Sequence, residues 1–172
     1  VTYRKFILMI RTLNSELINK IGEKVMIAGW LHRLRDLNKF GFAILRDRSD
    51  LMQVVLTAEQ LAQLKDLQME TVLRVIGTVV KKQSKNPDDN EVEVQAETLE
   101  ILSPVKDVLP VEINKPEIDA QLDTLLDNRV VTLRHPKQRA IFRVQAALAH
   151  GYRAYMERQG FTEIFFPVLA GA

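Results

Sequence analysis

In the stretch RDLNKFGFAILRDRSDLMQVVL, from Arg35 to Leu56, an arginine, two phenylalanines and a glutamine recur at spacings that a β-hairpin brings side by side. Side chains on a strand alternate between faces, so Phe40, Phe42 and Ile44 share one face and Gly41, Ala43 and Leu45 the other. Small residues and leucine suit the inside of a tight barrel, which sets the phenylalanine face outside. On the following strand Met52, Val54 and Leu56 fall inside and Gln53 outside. An exposed ring can stack on an unpaired nucleobase, for roughly 1–3 kcal/mol. Arg35 and Gln53 can hydrogen-bond base edges or phosphates. The same alternation also fits Phe42 as a core residue and Arg35 as a solvated charge, and pattern alone leaves both open.

The elements that must position these residues follow from periodicity and turn signals. Ser15 is a candidate N-cap for a short helix, ELINKIG, closed by Gly22. KVMIAGWLHRL, KFGFAILRD and LMQVVL read as three successive strands. TAEQLAQLKDLQM then reads as a helix, with Thr57 as N-cap and Gln60 completing a capping box. Leu61, Leu64 and Met69 lie near one face of it. TVLRVIGTVVKK and EVEVQAETLEILS are two further strands, joined by the polar turn QSKNPDDN. Gly29 and Gly77 fall inside strands, where a small closed barrel needs tight curvature. Three strands, a helix and two strands make a mainly β domain, the five-stranded OB-fold barrel with an inserted helix. It is expected over residues 13–104, after an N-terminal extension at 1–12.

Beyond Ser103-Pro104 the texture changes. Residues 105–136 read as a linker and hinge, with prolines in VLPVEINKPEI and a short helix in DAQLDTLLDNRVVTLRHP. From Lys137 a long helix is expected, with Ile141, Val144, Leu148, Tyr152 and Tyr155 at helical spacing and Gly160 as its stop. FTEIFFPVLAGA then starts a strand that has no partner nearby in sequence. Residues 137–172 therefore read as the beginning of a larger domain. Arg129, Arg134 and Arg139 suit either RNA or hinge salt bridges.

Composition bounds the function classes. Charged residues are 27% and mixed in sign, and the formal net charge is only +2, so any nucleic-acid contact must come from a local patch. The absence of cysteine excludes disulfides, thiolate metal sites and cysteine nucleophiles, and fits a reducing cytoplasm. His32, His135 and His150 are too far apart in sequence to suggest a metal site; His135 and His150 suit structural roles. No apolar run reaches the roughly 20 residues of a membrane span. The opening VTYRKFILMI lacks the long apolar core and cleavage site of a signal peptide.

IAGWLHRLRDLNKFGFAILRDRSDLMQVV resembles the anticodon-binding OB domain of class IIb aminoacyl-tRNA synthetases, and most of all the aspartyl-tRNA synthetases of the archaeal, non-discriminating type. The run GW…RDL…F…LRDRS…QVV carries the likeness. LDTLLDNRVVTLRHPKQRAIFR extends it through the hinge, and GFTEIFFPVL is similar to class II motif 1, with Pro167 at the motif's proline. The resemblance implies that Phe42 stacks on the central anticodon base, a uridine, and that Arg35 and Gln53 contact that uridine or its neighbours. It implies that Glu93 helps read the first anticodon base, where a carboxylate suits the N1–H and N2–H of guanine. At the position of His32 it associates histidine with relaxed choice between tRNA-Asp and tRNA-Asn. It places Phe161, Ile164 and Pro167 at a homodimer interface. The family uses ATP and Mg²⁺ through two further motifs downstream of motif 1; within this stretch no cofactor and no catalytic residue is expected. Two alternatives stand beside an aspartate–tRNA ligase: an asparaginyl-tRNA synthetase, toward which NKFGF leans, and a non-enzymatic OB protein binding single-stranded nucleic acid.

Overall fold

The computed structural model describes residues 9–82 and 91–165, so the expected turn QSKNPDDN and Pro167 lie outside the described residues. The chain divides into two compact units, residues 1–109 and 110–172.

The first unit is a closed five-stranded barrel. Its strands are β1 (Lys24–Asp36), β2 (Phe40–Arg46), β3 (Leu51–Thr57), β4 (Val72–Lys81) and β5 (Val92–Ser103). They close in the order β1-β2-β3-β5-β4, with β3 and β5 parallel and the remaining pairs antiparallel. Every strand lies within two residues of its expected bounds. Alternation explains why: Val25, Ile27, Leu31, Ala43, Leu45, Val54, Leu56, Leu73, Val75, Val79 and Val94 all point inward and form one buried core. The intervening side chains face out.

Two glycines let the barrel close. A Cβ on Gly29 would stand 2.3 Å from the Arg46 carbonyl oxygen, and one on Gly77 2.1 Å from that of Gln95. Gly77 also lies at a register shift in β4–β5. The shift in β1 is not at Gly29 but between Leu31 and Arg33, so His32 is the extra residue of a β-bulge. That bulge changes which residues of β1 face out, from Trp30 before it to Arg33 and Arg35 after it.

The helices of the first unit depart from expectation in two ways. Residues Asn14–Asn19 form a 3-10 helix capped at Leu13, whose N–H is accepted by the Glu16 carboxylate at 3.4 Å; Ser15 lies inside it. Helix α1 spans only Ala58–Ala62. Its capping box is present, with the Gln60 N–H 3.3 Å from Thr57 Oγ1 and the Thr57 N–H 3.0 Å from Gln60 Oε1. The chain then leaves the helix through turns, which still deliver Leu64 to the core. Arg11 and Thr12, expected in the extension, bridge β1: the Thr12 N–H donates to the Met26 carbonyl and Arg11 donates to the Ala28 carbonyl.

The second unit holds α2 (Leu122–Asp127), α3 (Arg129–Thr132) and α4 (Pro136–Arg158). Proline at N1 suits the start of α4, because its missing N–H would have had no partner there. The buried His135 caps it: Nδ1 accepts from the Lys137 N–H, and Nε2 lies 2.9 Å from the Lys115 carbonyl oxygen. Gly160 adopts φ +85° just past the helix end. Of the strand expected from Phe161 onward, residues 161–165 have no regular structure and the remainder lies outside the described residues. A strand needs a neighbour to take its backbone hydrogen bonds, and none lies beside them among the described residues.

Candidate nucleic-acid interface

The pairing register brings the residues singled out in sequence onto one outer face. One row across the sheet runs Arg35, Phe42, Val55 and Gln95; the next runs Arg33, Ile44, Gln53 and Glu93. None of these belongs to the buried core, while Gly41, Ala43, Met52 and Val54 between them are buried. Phe42 is half-buried, and its ring meets that of Phe40 edge to face, with centroids 5.5 Å apart. Phe40 is 43% exposed. The two rings are a ready stacking surface for an unpaired base.

At the far side of the face, Gln53 and Glu93 are paired. The Gln53 amide donates to Glu93 Oε2 at 2.7 Å across the parallel β3–β5 ladder. Cations therefore stand on β1 and a carboxylate on β5, three strand spacings or about 14 Å apart measured along the curved face. A single strand crossing the sheet would meet positive charge at one end, aromatic rings in the middle and a hydrogen-bonding pair at the other.

His32 does not join these rows. From the bulge its Nδ1 lies 3.3 Å from Arg46 Nη1. An arginine can only donate, so Nδ1 accepts. Arg46 was not foreseen in sequence. It is 5% exposed, bonds both carboxylate oxygens of Glu70 at 2.8 Å and lies 5.7 Å over the Trp30 ring. Glu70 itself adopts φ +70°, a strained choice for a non-glycine residue; the bidentate pair and the bond from its N–H to the Leu31 carbonyl hold it there. The available signal was chemical: an arginine ending a strand beside an outward tryptophan.

The turn after β2 is organised by Asp47, also buried. Its Oδ1 accepts from the Ser49 N–H, the Ser49 hydroxyl and the Asp50 N–H, and its Oδ2 from the Asn14 N–H at 2.9 Å. Burial pushes the Asp47 carboxyl up. The Ser49 hydroxyl and the backbone N–H groups of Asn14, Asp50 and Ser49 outweigh this and hold it below its ordinary value. This Asp-Arg-Ser-Asp turn tethers the 3-10 helix to the end of the hairpin that carries Phe42.

In the second unit Phe161 and Ile164 are exposed at 61% and 63%. Arg129 lies 5.2 Å over the Phe142 ring and bonds Gln138. Among the described residues there is no group of three or more histidines or carboxylates placed to hold a metal ion, and no helix long and apolar enough to cross a membrane.

Residues 25–102 match the family described as OB-fold nucleic acid binding domain, and residues 121–172 match tRNA synthetases class II (D, K and N). An OB-fold anticodon-binding domain is thus followed along this chain by a class II synthetase segment. Among its relatives, the aspartate–tRNA(Asp/Asn) ligase of Thermus thermophilus is 47% identical over 94% of this chain and 37% of its own length. The ligase of the same name from Archaeoglobus fulgidus is 35% identical over 85% of this chain and 34% of its own. The asparaginyl-tRNA synthetase of Pyrococcus horikoshii superposes with a TM-score of 0.78 at 29% identity, over 95% of this chain and 39% of that one. The chain thus spans about a third of the length of the curated relatives it matches.

Proposed function

We propose that the outer face of β1, β2, β3 and β5 binds the anticodon loop of tRNA, as part of an aspartate–tRNA ligase that accepts tRNA-Asp and tRNA-Asn. One observation carries this reading: Phe42 stands outside the core, in the row beside the Gln53–Glu93 pair and in register with Arg35. Phe42 stacks on the central uridine shared by the two tRNAs. Gln53 and Arg35 contact that base or its neighbours, and Glu93 takes the N–H groups of a guanine at the first position. His32, beside the face, accommodates both tRNAs. Both relatives cited are named for the Asp/Asn choice, which supports the dual assignment over an asparaginyl enzyme.

The whole protein would activate aspartate with ATP and Mg²⁺ and pass it to the tRNA. The apolar stripe of α4, with Val144, Leu148 and Tyr152 each more than 60% exposed, is the surface through which two copies would pair, together with Phe161, Ile164 and Pro167. An uncovered stripe of this kind favours association. Sedimentation of the 172-residue chain is expected to show concentration-dependent dimers, and a monomer at all concentrations would remove this assignment.

The test of anticodon reading is binding to stem-loops carrying GUC, GUU and GCC at fixed salt. GUC and GUU should bind alike and GCC more weakly. Phe42→Ala should weaken GUC and GUU by about 1–3 kcal/mol, the scale of one stacked base. Equal affinity for all three loops would instead support a general single-strand binder.

A further inference from the structure

The bond between Gln53 and Glu93 has a consequence for base choice that depends on the anticodon reading above. We infer that Glu93 positions Gln53, so that selection of the central base depends on a residue that need not touch it. A glutamine side chain has two orientations that exchange its oxygen and nitrogen, and in water neither is preferred. A freely turning amide could offer a base either its carbonyl or its N–H₂ at the same point. It could then accept from uracil N3–H in one orientation and donate to cytosine N3 in the other, and would discriminate poorly between them.

Glu93 removes that freedom. An ionised carboxylate only accepts, so Gln53 must turn Nε2 toward it. The contact is short, 2.7 Å, as expected for a charge-assisted bond. Register makes it unavoidable: Gln53 and Glu93 are direct partners in the β3–β5 ladder, both half-buried and both on the outer face. Oε1 is thereby turned away from Glu93. A carbonyl presented in this way matches the N3–H of uracil and opposes the N3 lone pair of cytosine. The carboxylate thus serves two adjacent bases, the first directly and the second through the glutamine.

The experiment uses the 172-residue chain and two stem-loops, GUC and GCC. Both loops share the first base, so any direct contact of Glu93 with that base cancels in the ratio of their affinities. Glu93→Gln keeps the size of the side chain but replaces an obligate acceptor by a second amide that can turn either way. It should lower the GUC-over-GCC preference on the order of tenfold, the scale of one base-discriminating contact. The double variant Gln53→Ala/Glu93→Gln should discriminate no worse than Gln53→Ala alone. In the free protein, the Gln53 side-chain amide protons should shift and exchange faster in Glu93→Gln, a change that loss of stability measured by melting would not mimic. A preference unchanged by Glu93→Gln but lowered by Gln53→Ala overturns the positioning role and leaves the anticodon reading intact. A preference unchanged by Gln53→Ala removes the anticodon role of Gln53 itself, and the inference falls with it. An amide signal unaltered by Glu93→Gln shows that the bond does not hold Gln53, and also overturns it.

Discussion

Arg46 and Phe42 lie on the same strand and illustrate opposite fates for an outward-facing residue. Phe42 is apolar and stays half-exposed, whereas Arg46 is charged and almost completely buried. The difference lies in their neighbours. Arg46 has a carboxylate to receive both ends of its guanidinium, 24 residues away in sequence, and an indole to cover its face. Breaking a buried pair by removing one partner leaves the other charge without compensation. Glu70→Ala is expected to destabilise the barrel by about 3–5 kcal/mol in denaturant titrations. The surface pair of Glu23 with Lys20 makes the control, because exposed pairs contribute about 0–1 kcal/mol. At this scale the sequence was legible for Gln53, where alternation governs, and left Phe42 between the core and the outer face. It was illegible where a polar residue's place depends on a distant partner, as for Arg46 and Glu70.

Among the elements, strands were read more faithfully than helices. Each strand of the barrel is framed by turn residues and carries its own period-two signal, so its bounds are local properties. Helix α1 has an equally clear start, yet it ends after Ala62, because closing the barrel requires the chain to turn and bring Leu64, Leu67 and Met69 against the core. The cap itself contributes locally. Thr57→Ala should cost about 1 kcal/mol of stability, measured by thermal or chemical unfolding, and Thr57→Ser should restore most of it. The bulge at His32 was also beyond sequence reading. It is a mismatch between two strands, and neither strand alone records it. Its result is that Arg33 and Arg35 face the same way as Phe42.

For the molecule as a whole, acid is a probe of how the barrel's end is tied together. The folded Asp47 carboxyl is held below its ordinary value of 3.8. Its contribution is complete above that value. It drains away as pH falls, since the unfolded chain binds the proton first, and is gone once the folded carboxyl is also protonated. Acid unfolding followed by fluorescence of the single tryptophan, Trp30, should therefore be less steep below about pH 4 in Asp47→Asn than in the parent chain. The fold class and the succession of three strands, a helix and two strands were determined by the sequence, because periodicity and turn chemistry act over a few residues. The union of Gln53 with Glu93, the burial of Arg46 under Trp30 and the diversion of His32 toward Arg46 were decided only by the tertiary structure. Those depend on which strands become neighbours and in what register, and closing the barrel sets both at once.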